Sequence, residues 1–178
     1  YFHTITSGLD RIRFVPLNTS TGGAFSIDNV SVKEVTSYSG GGFEREAYKL
    51  VEDTTVNNTH LVYRNNVTTG SGSNTLSLYA KAAERNWILL YDTEQSEGCY
   101  FDLTNGVVGS ALGSPDDYSI TPMANGWYRI SITTTPTALL RADFQVYVTK
   151  QDDDITYTGD GTSGLYIAYA QLEENDYA

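Results

Sequence analysis

Residues 161–174 read GTSGLYIAYAQLEE, a glycine-led segment in which Leu165, Ile167 and Leu172 are interleaved with small and polar residues. Glycines that break the chain, followed by period-two alternation, describe a strand with one face buried. A fainter copy stands at 22–34, GGAFSIDNVSVKE. Aligning Ile167 on Ile27 brings Leu172 onto Val32 and Glu174 onto Glu34 without a gap. Both stretches read as the closing strand of a β-sandwich module. The chain is therefore expected to hold the C-terminal strands of one module (1–36), a Gly/Ser linker at 37–42 (SYSGGG) and one complete module (43–178).

Working outward, 43–178 divides into short β-prone runs separated by turn chemistry. Strands are expected at 45–52, 59–64, 75–82, 86–91, 99–103, 119–122, 127–133, 142–149 and 165–173. Thr104-Asn105-Gly106 and Asn125-Gly126 carry the residues of tight hairpin turns. Residues 81–85 have enough helix formers for one helical turn. Many short strands without a helical period predict an all-β, antiparallel sandwich.

Composition narrows the function classes. Fourteen tyrosines favour strands, and 40% hydrophobic with 19% charged residues fits a folded chain. A net charge of −11 opposes binding to nucleic acid or to an anionic membrane surface. No apolar run reaches the roughly 20 residues of a helical membrane span. With Cys99 as the one cysteine, no intrachain disulfide forms. Met123 is the one methionine, so the chain is expected to be part of something longer.

Three blocks in 43–178 carry a family resemblance: Ser77-Leu78-Tyr79-Ala80-Lys81-Ala82 with Arg85-Asn86-Trp87, Asn125-Gly126-Trp127-Tyr128-Arg129-Ile130-Ser131, and Tyr157-Thr158-Gly159-Asp160-Gly161 through Gln171-Leu172-Glu173-Glu174. In order and spacing they resemble the jelly-roll modules, concanavalin A-like or carbohydrate-binding-module-like, of tailed-phage fibres and other virion structural proteins. The resemblance implies a non-enzymatic structural or interaction module of an extracellular fibre or virion appendage, contacting neighbouring subunits and possessing, in some members, glycan-binding surfaces. The alternative is a carbohydrate-binding module of a secreted polysaccharide-active enzyme or adhesin. A glycan-cleaving enzyme on the same fold stands third.

The resemblance also implies a calcium site with a carboxylate in the closing strand; Asp28 matches that position, whereas its counterpart Ala168 offers no ligand. Stacking on sugar rings calls for exposed aromatics, for which Trp87, Tyr91 and Tyr128 are the candidates. Trp87, Leu89 and Tyr91 share one face of a strand that is apolar on both faces, so Trp87 reads first as core and second as a platform, and Trp127 reads as core. Tyr38, Tyr63, Tyr100, Tyr118 and Tyr157 are further surface candidates that the sequence leaves unranked. His3, His60 and Cys99 lie in no catalytic or metal spacing, and no carboxylate pair is marked out as a glycosidase dyad. Asp152-Asp153-Asp154 reads as a solvated acidic loop. Asparagine sequons stand at Asn18, Asn29, Asn57 and Asn66. The apolar residues of 1–36 are expected to need strands from upstream sequence or from a second subunit.

Overall fold

In a computed structural model of the protein, residues 47–137 and 141–175 are described, without the side chains of 65, 66 and 141. The expected first module, the linker and Asp28 lie outside the described residues. So do Tyr38, His3, Asn18 and Asn29.

The central strands form where the alternation has a core to bury. Strand β1 covers Tyr48–Val51, β2 His60–Thr68, β3 Asn74–Lys81, β4 Trp87–Asp92 and β5 Glu97–Asp102. Strand β6 covers Val107–Leu112, β7 Asp117–Pro122, β8 Trp127–Thr134, β9 Arg141–Thr149 and β10 Gly164–Glu173. They make two five-stranded antiparallel sheets, ordered β1-β10-β3-β8-β7 and β2-β9-β4-β5-β6. The packed pair is a β-sandwich, as the strand pattern predicts.

Strand β3 shows the mechanism: Leu76, Leu78 and Ala80 enter the core while Thr75, Ser77 and Tyr79 take the other face. Strand β8 supplies Ile130 and Ile132, and the second sheet answers with Ile88, Leu90, Cys99, Phe101, Val146 and Val148. β10 lies inside its sheet, paired to β1 and β3. Its alternation is not continuous, however. Ile167 and Leu172 are five residues apart and would face opposite sides of a regular strand. A bulge between Ala168 and Gln171, with Tyr169 at φ 50°, inserts one residue and returns Leu172 to the core.

Two further expectations are corrected. Residues 81–85 form no helical turn; β3 ends at Lys81 and a bend follows, closed by the Ala83 amide donating to the Arg85 carbonyl. A tenth strand, β6, follows the Asn105-Gly106 turn where none is expected. Gly109 and Ser110 interrupt its apolar pattern, and its pairing with β5 shifts register between Cys99 and Phe101. The hairpin turn itself matches its sequence signature: Asp102 accepts from the Thr104 and Asn105 amides, and Gly106 sits at φ 66°. A side chain at 106 would collide with the Tyr128 ring, because a β-carbon placed there would lie 2.6 Å from Tyr128 Cε1. At the other hairpin, Ala124–Gly126 makes a single 3-10 turn before Trp127.

Candidate functional site

The outer face of the second sheet is built by the odd positions of β4. Ile88 and Leu90 face the core, so Leu89 must point outward, yet it is fully buried. It packs with Tyr100 of β5 and Tyr147 of β9, and the segment 150–157 lays Ile155 against this cluster. The segment is pinned by Asp152, whose carboxylate accepts the Ser110 amide (2.9 Å) and hydroxyl (3.1 Å) of β6. Burial, with the Asp153, Asp152 and Asp154 carboxylates nearby, pushes the Tyr100 phenol up to about 12. The run of three aspartates is therefore a clasp at its first member. Asp152→Ala removes both charge-assisted bonds and is expected to destabilise by about 1–3 kcal/mol. Hydrogen exchange should show faster amide exchange across 150–157.

Trp87 and Tyr91 sit at the two ends of this face, both half-buried. At Trp87 the ring is wedged against Gly109 and Asp152, where an added β-carbon would approach Trp87 Cζ3 to 2.6 Å. Tyr91 lies over Gly98, whose added β-carbon would meet Tyr91 Cδ2 at 2.7 Å. Tyr147 meets Tyr91 edge-on, with ring centroids 6.5 Å apart. Tyr128 is not part of this surface: it belongs to the other sheet and packs, half-buried, against the inter-sheet core beneath Gly106. Its candidacy as an exposed aromatic is corrected, because β8 sends Tyr128, Ile130 and Ile132 inward together. Trp127 then faces away from the inter-sheet core and is nonetheless only 1% exposed. It borders a half-open pocket of about 260 Å3 lined also by Ala47, Lys81 and Tyr166.

Among the unranked tyrosines, Tyr63 is exposed, Tyr118 partly so on the edge strand β7, and Tyr100 and Tyr157 are buried. Tyr157 belongs to a polar cluster at one end of the sandwich. Glu52, its side chain wholly buried, accepts from Arg85 Nε (2.7 Å) and Nη2 (2.6 Å), from the Tyr157 hydroxyl (2.8 Å) and from the Asp160 amide (2.8 Å). Burial alone would raise this carboxyl; the Arg85, Asp160 and Tyr157 hydrogen bonds outweigh it and hold Glu52 below its usual range. The Tyr157 phenol is pushed up, first by burial and then by its bond to Glu52. His60 stacks beside Tyr157, its Nε2 3.3 Å from the Tyr157 carbonyl. Its Nδ1 lies 3.1 Å from Asp53 Oδ1 but out of line for a hydrogen bond. Asp160 caps the next turn through Thr162 and Ser163, the Ser163 hydroxyl first among the causes that hold its carboxyl far below the usual range. No sequence pattern announces this cluster, since Glu52 and Arg85 are 33 residues apart.

A second fully buried carboxylate, Asp92, accepts from the Thr134 hydroxyl and the Asp143 and Glu94 amides; burial raises it. Through Thr134 it ties the second sheet to the first. Neither Glu52 nor Asp92 lines the pocket beside Trp127. Cys99 is fully buried, and its thiol is pushed up to about 12 by burial, which suppresses the nucleophilic thiolate. Among the described residues, no group of three or more His, Cys, Asp or Glu side chains is placed to hold a metal ion. Asn57 stands exposed at a turn with φ 51°. No helix among them is long and apolar enough to cross a membrane. Protein-family models and curated protein sequences give no match to this chain.

Proposed function

We propose that the chain is a non-enzymatic structural and interaction module of a virion appendage or comparable extracellular fibre, working through neighbouring subunits and, on one face, through glycan. The observation that carries this reading is the state of the two most deeply buried carboxylates among the described residues. Glu52 is closed by four donors and Asp92 by three, so neither is poised to exchange a proton with a substrate. The surface, by contrast, offers apolar groups on all the sheet edges: Tyr48 and Val51 on β1, Val62 and Tyr63 on β2, Val107 and Val108 on β6, Tyr118 on β7. Exposed edge strands with apolar side chains are the usual material of subunit contacts.

The strand order supports the jelly-roll version. With the hairpin strands β6 and β7 set aside, four strands remain per sheet, β1-β10-β3-β8 and β2-β9-β4-β5, and β1, β3 and β8 are each followed by their successor in the opposite sheet. The three resembling sequence blocks fall on β3–β4, β8 and β10. Calcium at Asp28 belongs to the same proposal. The second reading, a carbohydrate-binding module of a secreted enzyme or adhesin, is favoured by the aromatic face of the second sheet. Incubation of the purified chain with a polysaccharide panel tests the reading. No release of reducing ends is expected, with sedimentation velocity showing association that grows with concentration; release of reducing ends overturns it.

A further inference from the structure

We propose that one cross-strand row on the outer face of the second sheet, Tyr63–Gln145–Tyr91, is a platform for a neutral oligosaccharide. This rests on the chain being a binding module rather than an enzyme. The register sets Tyr63 opposite Gln145, Gln145 opposite Tyr91 and Tyr91 opposite Gly98. Residues paired in this way share a face, and two strand spacings put the tyrosine backbones roughly 10 Å apart. Three properties of the row point to sugar.

The first is the bed under Tyr91. Only glycine fits at 98, where any β-carbon would strike Leu90 O at 2.4 Å and Tyr91 Cδ2 at 2.7 Å. The ring therefore rests on the sheet rather than standing off it, fixed from one side by the edge of Tyr147. A reclining, pre-positioned ring has one flat side for the C–H face of a pyranose. Tyr63 supplies the second ring, 66% exposed.

The second is the amide between them. Gln145 Oε1 accepts the Tyr147 hydroxyl, which turns Nε2 away as the donor for a ligand hydroxyl. The third is what the row lacks. It contains no charged side chain, and the protein's net charge of −11 opposes an acidic polymer. The backbones of β9 and β4 are paired on both sides, so beneath Gln145 and Tyr91 a peptide has no edge to extend, and of the three strands only β2, which carries Tyr63, is an edge strand. An occupant must be held by ring faces, an amide and phenols. A chain of sugars long enough to reach both rings meets that description, and a monosaccharide covers one ring only.

Affinity electrophoresis of the full chain tests this, in native gels cast with mixed-linkage β-glucan, galactomannan or dextran, and with polygalacturonate as the anionic comparison. At least one neutral polymer is expected to retard the protein, and polygalacturonate is not. Tyr63→Ala and Tyr91→Ala should each weaken retardation by about tenfold, Gln145→Ala by less, and Tyr118→Ala, on the other sheet, not at all. Tyr63 is exposed, so Tyr63→Ala keeps the test valid if Tyr91→Ala melts early. No retardation by any neutral polymer overturns the platform and leaves a purely structural module. Retardation that survives both tyrosine changes also overturns it and places glycan elsewhere on the module. Shortening of a polymer by the protein overturns the module reading itself.

Discussion

Arg85→Met should destabilise the fold by about 3–5 kcal/mol at neutral pH, the usual penalty for leaving a buried charge without its partner. Arg85 is the cation that allows Glu52 to be ionised with its side chain wholly out of water. Removing it leaves the Tyr157 hydroxyl and the Asp160 amide as the donors to that carboxylate. Two neutral donors do not replace a bidentate guanidinium. The pH dependence identifies the cause. In the native protein Glu52 is held below its unfolded value of 4.5, so its contribution is full above that pH and is lost as pH falls toward the folded value. In the variant, burial dominates and the folded carboxyl rises, so the deficit is largest at neutral pH and shrinks as acid protonates Glu52. Urea unfolding of both proteins at pH 7 and near pH 4.5 reads this directly. A deficit independent of pH would mean that Arg85 acts through packing alone. Combining Glu52→Leu with Arg85→Met should recover much of the loss, since an apolar pair carries no desolvation cost.

The contrast between that cluster and the strands explains what the sequence discloses. Strands such as β3 and β8 are legible because their partners impose nothing beyond a two-residue period: Leu76, Leu78, Ile130 and Ile132 alternate whatever they face. Strand β6 is hidden because Gly109 must be small for Trp87 and Asp152, a demand from residues 22 and 43 positions away in the chain. The bulge in β10 has a sequence trace, the odd spacing of Ile167 and Leu172, though the gap-free match to 22–34 conceals it. Sites are less legible than strands. Trp87 and Tyr91 can be assigned to one face from sequence because both lie on β4. Tyr63 and Gln145 join Tyr91 only through pairings among β2, β9 and β4, and no local pattern ranks Tyr63 above Tyr100. Asp152 looks like its neighbours Asp153 and Asp154 because the Ser110 amide that distinguishes it sits 42 residues earlier.

Trp127→Ala is expected to cost about 3–5 kcal/mol and to lower the melting temperature by about 10 °C, although Trp127 is outside the inter-sheet core. Alternation along β8 sends Tyr128, Ile130 and Ile132 between the sheets and Trp127 to the opposite side. Its 1% exposure means that the indole is nevertheless withdrawn from water. Truncation deletes an aromatic side chain that is itself withdrawn from water beside a half-open pocket, so the packing the indole makes is lost and little neighbouring apolar material stands ready to replace it. Trp87→Ala provides the comparison on the other sheet. Trp87 is half-buried and leans on Gly109, so less apolar area is lost and the melting temperature should fall clearly less. Thermal unfolding of the two variants, alongside polysaccharide retardation, separates packing from recognition. A Trp127→Ala protein that melts like the native one but no longer binds neutral glycan would make Trp127 a ligand contact and move the binding face to the first sheet. Loss of stability with retardation intact, per folded molecule, keeps Trp127 as a packing residue and leaves recognition with Tyr63, Gln145 and Tyr91.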